Sequence, residues 1–220
     1  MQTDRRHREV RRARRRRRGA ILLGFVAVAA LSGYGLAAAR VFRAPYPDAA
    51  RRLAGWIGLP EKAANFAVVD PGHVFRSARP DAALLEHVRR RHGVVRVISL
   101  SGDDDAAVAR AMGFDVRVYR WLSGAWPPER ELKEVQSLLD EAAPTLVHCH
   151  SGSDRTGCAV AAFRLRRGAN LADVVSDMVR FGHRPERYPD VHRRLALYER
   201  DVRARSTPAG RVAAAADLAD

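Results

Sequence analysis

The run Thr145-Leu146-Val147-His148-Cys149-His150-Ser151-Gly152-Ser153-Asp154-Arg155-Thr156-Gly157 leaves this chain few folds to choose from. Leu146 and Val147 make a short buried strand, and the stretch after Thr156-Gly157, Cys158-Ala159-Val160-Ala161-Ala162-Phe163, reads as an apolar helix. Between them lies a loop of seven residues from Cys149 to Arg155. A strand that feeds a helix through so short a loop is a βα unit, and such units build parallel sheets. It also aims backbone N–H groups and a helix dipole at one spot, which suits an anion the size of a phosphate. A cysteine at the mouth of that loop is placed to act as a thiolate nucleophile. An arginine closing the loop offers a planar fork of donors to the anion's oxygens.

The flanking sequence supplies the rest of such a sheet. Residues 66–69 and 74–75 read as short strands around the turn Asp70-Pro71-Gly72. Residues 81–92 read as a helix with Leu84, Leu85 and Val88 on one face, ending at Gly93. An apolar strand follows at 94–100, a helix at 104–112 that stops at Gly113, and an alternating strand at 115–121. Residues 128–142 form a helix with Leu132, Val135, Leu138 and Leu139 facing inward, 145–148 is the next strand, and helices fill most of the remainder. The expectation is an α/β domain over residues 64–205, with a central, mostly parallel sheet flanked by helices and a loose tail at 206–220.

With its strand and helix in place, the motif His148-Cys149, five residues, Arg155-Thr156-Gly157 resembles the signature H-C-x5-R-[ST]-G of the cysteine-dependent protein tyrosine phosphatase superfamily. It is most similar to the compact bacterial dual-specificity-like members, whose loops often read H-C-x-x-G-x-D-R-T-G and so match Gly152 and Asp154. Asn65-Phe66, Phe75-Arg76-Ser77-Ala78-Arg79-Pro80 and Val97-Ile98-Ser99-Leu100 also resemble segments of those domains. The resemblance implies hydrolysis of phosphomonoesters through a phosphocysteine intermediate, with no metal and no cofactor. Cys149 would be the nucleophile and Arg155 the binder of the phosphate. Thr156 would hydrogen-bond the thiolate, and His148 would tune its reactivity. His150, Ser151, Gly152, Ser153, Asp154 and Arg155 would cradle the substrate, which is a phosphorylated protein or a small phosphomonoester. Arg76 reads as a structural ion-pair partner, and Cys158 as a packing residue in the first turn of the helix.

Two departures from the family pattern bear on activity. Relatives frequently carry lysine where this chain has Ser153, which argues against multiply phosphorylated inositol lipids. The family's general acid is an aspartate on an upstream loop, yet the matching stretch Arg120-Trp121-Leu122-Ser123-Gly124-Ala125-Trp126-Pro127-Pro128 holds no carboxylate. Glu129 and Glu131 follow it and read as first-turn residues of a helix. Asp103, Asp104 and Asp105 follow a strand expected to end on the same rim, where they reach the site or serve as loop and cap residues. Asp154 in the loop itself is a further candidate. Two other readings therefore stay open: a weakly active phosphate-binding module, and a rhodanese-like sulfurtransferase, which also uses a loop cysteine.

The first part of the chain is of a different kind. Ten arginines against Asp4 and Glu9 give residues 1–18 a charge of +8 out of the formal +14. The high charge is thus largely a property of that tail, which argues against a nucleic-acid-binding domain. Residues 19–39 carry no charge and would span about 31 Å as a helix, the thickness of a bilayer's hydrocarbon core. The arginine block beside it predicts a cytoplasmic N-terminus, a single span, and everything after residue 40 on the outer side of the cell membrane. Ala37-Ala38-Ala39 would also suit cleavage of a signal peptide, although the apolar run is long for one. Residues 40–63 read as a juxtamembrane linker broken by Pro45 and Pro47. Two cysteines nine positions apart exclude a disulfide-stapled scaffold. Nothing in the pattern fixes an oligomeric state.

Overall fold

The structure, a computed structural model, describes residues 64–102 and 106–206. The expected basic tail, span and linker (1–18, 19–39 and 40–63), Asp103, Asp104, Asp105 and residues 207–220 lie outside the described residues. Among the described residues no helix is long and apolar enough to cross a membrane.

In chain order the elements are β1 (Ala67–Asp70), β2 (Val74–Ser77), α1 (Ala82–His92), β3 (Arg96–Ser99), α2 (Ala106–Ala111), β4 (Asp115–Val118), α3 (Glu129–Asp140), β5 (Thr145–His148), α4 (Asp154–Arg166), α5 (Leu171–Arg180) and α6 (Pro189–Ser206). The five strands form one sheet in the order β1-β2-β5-β3-β4. Only the β1–β2 hairpin is antiparallel, and β2, β5, β3 and β4 run parallel, as the alternating pattern requires.

Local chemistry sets the boundaries. The Asp81 carboxylate accepts from Leu84 N at 2.8 Å and caps α1, and Gly93, at φ +67°, closes the helix in the left-handed conformation. The expected strand 115–121 is shorter, because Ser101 and Arg120 form an isolated antiparallel bridge and the chain leaves the parallel ladder after Val118. The helix expected at 128–142 stops at Asp140, where Glu141 turns extended shortly before Pro144. On α3, Leu132, Val135 and Leu139 are buried and Leu138 is only partly so. Gln136 is buried with them, its amide donating to Ala159 O at 3.0 Å. Ser206, assigned to the loose tail by the sequence, is the last residue of α6.

Alternate residues of β2, β3 and β5 supply two cores. Phe75, Val97 and Leu146 pack against Leu84, Leu85 and Val88 of α1 and Ala109 of α2. Val74, Ile98 and Val147 pack against Leu132, Val135 and Leu139 of α3 and Ala159 and Phe163 of α4. Each valine, leucine, isoleucine or phenylalanine among them contributes about 1.5–3 kcal/mol when fully buried. A third cluster joins Cys158, Ala161 and Leu165 of α4 to Val174 and Met178 of α5 and Val191 and Leu195 of α6. Covered on both faces, β5 is fixed at the centre of the sheet, and its carboxyl end opens on the rim where α/β folds hold ligands.

Candidate active site

Ser77, Ser99 and His148 are in register, so β2, β3 and β5 end together and Cys149 leaves the sheet at its middle. The loop that follows is held from behind by its carbonyl groups. His150 O accepts from Arg79 N at 3.2 Å, and Ser151 O accepts from the side-chain amide of Asn65 at 3.0 Å. Gly152 O accepts from the guanidinium of Arg76. Peptide groups are planar and trans, so each pinned carbonyl turns the next N–H the opposite way. The amides of Ser151, Gly152 and Ser153 therefore point away from the groups that pin the loop. Gly152 N lies 3.2 Å from Cys149 Sγ and donates to it. A loop pinned through its carbonyls, with its amides left unused and followed by the start of α4, has the form of an anion-binding nest.

Gly152 makes this geometry possible. Its φ is +71°, and a β-carbon there would lie 2.7 Å from both Ser77 O and Ala78 N. The loop thus rests against the end of β2 at a distance that only glycine allows.

Arg76 differs from its expected part as an ion-pair partner. It is 1% exposed, and its hydrogen-bonding partner is the Gly152 carbonyl, while its guanidinium carbon stacks 3.8 Å from the centre of the Phe181 ring. Burial lowers its pKa to about 10, and the nearby Cys149 sulfur pulls in the opposite direction. Asn65, at φ +51°, also donates to Phe181 O at 3.2 Å and so ties the loop to the end of α5.

The remaining site residues fall as follows. Cys149, His148 and Thr156 are fully buried. The Thr156 hydroxyl has no hydrogen-bond partner among the described residues, so the bond to the sulfur recorded here comes from Gly152 N–H. Arg155 is part-buried, its NH1 is 3.5 Å from Trp121 O, and its Nε has no partner among the described residues. Asp154, the first residue of α4, receives a hydrogen bond from Ser123 Oγ at 3.3 Å and lies 2.7 Å from His183 Nδ1. Ser153 precedes α4 and makes no side-chain cap bond. Cys158 is buried in the third core cluster, and burial, followed by the charge of Asp154, pushes its thiol well above the usual range.

The loop after β4 thus touches the phosphate loop twice, through Trp121 O and Ser123 Oγ, and between these anchors Leu122 is 76% exposed. The two glutamates that follow are engaged elsewhere. Glu131 accepts from the Trp121 indole at 2.8 Å, and Glu129 pairs with Lys133 at 2.9 Å on the open face of α3. Sequence reasoning missed Ser123, His183 and His192, whose hydrogen bonds reach Asp154 or continue from it. A cleft of about 780 Å³ between α3 and α6 is lined by Trp126, Gln136 and Tyr198 among others and by no residue from Cys149 to Arg155. Among the described residues no group of three metal-ligating side chains is arranged to hold a metal ion.

The comparisons with known proteins agree with this geometry. The model of the tyrosine phosphatase family matches residues 57–188, more than half of the chain, and the protein belongs to that family within the cysteine-dependent phosphatases. Inositol diphosphatase DSP4 of Arabidopsis thaliana is 30% identical over 135 residues, covering 57% of this chain and 68% of its own length. Inositol diphosphatase DSP1 of Oryza sativa subsp. japonica is 29% identical over 138 residues, 58% of this chain and 61% of that protein. Among solved structures, TpbA of P. aeruginosa aligns with a TM-score of 0.52 at 26% identity, over 63% of this chain and 85% of that one.

Proposed function

We propose that the protein hydrolyses phosphomonoesters with aryl leaving groups, phosphotyrosine among them, through a phosphocysteine on Cys149. The observation that carries this reading is the loop after Cys149, pinned from behind through three successive carbonyls so that its amides are left for an anion, with Gly152 N–H donating to Cys149 Sγ. The phosphoryl group sits on those amides and on the Arg155 fork, and Cys149 Sγ attacks phosphorus in line with the ester oxygen. The ester oxygen departs with a proton, and water then cleaves the S–P bond to release inorganic phosphate. Family membership and the helix start at Asp154 favour this chemistry over a sulfurtransferase.

The proton comes from Asp154. Glu129 and Glu131 are held by Lys133 and Trp121, whereas Asp154 lies in the loop and is bonded by Ser123 from across the cleft. The exposed Leu122 offers an apolar rim to an aromatic leaving group. A positioned acid is worth about 10²–10⁴ in rate, which separates this reading from that of a weak phosphate-binding module. Its test is a series of aryl phosphates of graded leaving-group pKa. Wild-type protein should show a shallow dependence and Asp154→Asn a steep one; equal slopes would refute the role of Asp154. A second reading, taken from the names of the two plant relatives, is an inositol diphosphate. Its leaving phosphate has a second pKa of about 6 and needs little acid help, but Ser153 removes one cation from the loop. Faster turnover of inositol diphosphates than of phosphotyrosine would favour it.

For location, the proposal is a single span at residues 19–39 with the phosphatase domain on the outer side of the cell membrane, supported by the arginine block before the span. Protease added to spheroplasts should then digest the domain, and its protection would reverse the orientation.

A further inference from the structure

His183 is buried, and both of its ring nitrogens are engaged. Nδ1 lies 2.7 Å from Asp154 Oδ1, and Nε2 lies 3.1 Å from Nε2 of His192, which is half-buried on α6. Its ring stacks on His192 at 5.1 Å and on Tyr188 at 5.9 Å. The groups next to this row are Ser123, which bonds Asp154, the Cys158 thiol one turn along α4, and Tyr188 before α6; Arg155 follows Asp154 in the chain and contacts Trp121 O. No second carboxylate or cation is paired with either imidazole among the described residues.

An imidazole bonded at both nitrogens permits two complete patterns here. With Asp154 ionised, His183 Nδ1–H donates to the carboxylate, and His183 Nε2 accepts from His192 Nε2–H. With Asp154 protonated, its O–H donates to His183 Nδ1, and His183 Nε2–H donates to His192 Nε2. The two patterns differ by one proton and interconvert when His192 Nδ1 takes it up and protons shift along the existing bonds. From these contacts we infer that His183 and His192 form a proton relay that keeps Asp154 in its acid form, with His192 exchanging the proton with solvent and His183 as the positioning residue between them. The inference rests on Asp154 being the general acid.

The step balances. His192 Nδ1 takes a proton from solvent, His192 Nε2–H passes to His183 Nε2, and His183 Nδ1–H passes to Asp154 Oδ1. Two neutral imidazoles and one neutral carboxylic acid result. Because His192 exchanges with solvent, a proton given up by Asp154 is replaced along bonds already made. Desolvation and the neighbouring His183 hold His192 below its ordinary value.

The test measures pH profiles of kcat on the full-length protein with two probes. Phenyl phosphate has a poor leaving group and needs the acid, whereas 2,4-dinitrophenyl phosphate needs none. His192→Gln can bond His183 but cannot take up a proton; His183→Asn can bond Asp154 but cannot relay. With phenyl phosphate the basic limb should fall by about one pH unit in His192→Gln and further in His183→Asn, while both variants keep the wild-type profile with the dinitrophenyl ester. A His192→Gln limb that superimposes on wild type would overturn the relay. An equal loss on both probes would also overturn it, marking the histidines as structural only. Asp154→Asn separates the two levels: if it leaves the leaving-group dependence unchanged, the assignment of the acid fails, and if it steepens that dependence while His192→Gln matches wild type, only the relay fails.

Discussion

Replacing Gly152 by alanine should disable the site through the backbone alone, because no catalytic side chain is touched. At φ +71° a residue with a β-carbon costs about 1–2 kcal/mol. The added carbon would also stand 2.7 Å from Ser77 O and Ala78 N, which are backbone atoms of β2 and its exit and cannot rotate aside. The loop must therefore lift, and the bond from Arg76 to Gly152 O and the bond from Gly152 N to Cys149 Sγ are lost. A hydrogen bond to a charged group is worth about 1.5–3 kcal/mol and a neutral one about 1, so the total is roughly 3–6 kcal/mol. For a domain of this size that lowers the melting midpoint by about 10 °C or more. A displacement of about 1 Å at the sulfur should also cost about 10² in kcat/KM. Calorimetry and steady-state kinetics on an aryl phosphate measure both effects. A Gly152→Ala protein with wild-type kcat/KM and an unchanged midpoint would refute the inference that the loop is wedged against β2.

Three further outcomes follow from other parts of the site. Arg155→Lys should lower kcat/KM by about 10²–10³ and weaken inhibition by inorganic phosphate, since an ammonium cannot fork to two oxygens. Burial holds the Cys158 thiol protonated, so iodoacetate should modify Cys149 alone in the native protein and both cysteines in denaturant, as peptide mapping would show. The folded-state pKa of His192 lies below its unfolded value, so the unfolded chain binds that proton more tightly. Its contribution to stability is whole above the unfolded pKa of about 6.5 and declines as pH falls through it. The melting midpoint of wild type should therefore drop more steeply on acidification than that of His192→Gln, and parallel curves would contradict the shift.

What the sequence disclosed and what it withheld divide along chain separation. The strand 145–148, the loop and the helix start are a contiguous segment whose hydrophobic run, glycine and arginine carry their own geometry. The caps of α1 are equally local, since Asp81 meets Leu84 three residues on and Gly93 ends the helix. Arg76 was legible only as a structural ion-pair partner, because its actual partner, the Gly152 carbonyl, lies 76 residues away. Asn65 reaches Ser151 across 86 residues and Phe181 across 116, and nothing near it in the chain signals either contact. His183 and His192 sit nine apart in a segment read simply as helical, and they acquire meaning only when α6 packs on α4 and brings them to Asp154. Gln136 is buried among the apolar residues of α3 because its amide reaches Ala159 O of α4, a partner 23 residues away that the local sequence does not signal. The missing carboxylate after Trp121 was legible; that Ser123 there would instead bond a carboxylate on the loop was not.

The measurement closest to the central claim is single-turnover quench of the wild type and of Cys149→Ser with a radiolabelled aryl phosphate. Wild-type protein should trap one phosphoryl group per chain on Cys149 before inorganic phosphate appears. Cys149→Ser should turn over no substrate yet still bind a phosphate analogue, because the loop amides and Arg155 are intact. Turnover retained by Cys149→Ser, or label recovered on any other residue, would contradict the mechanism.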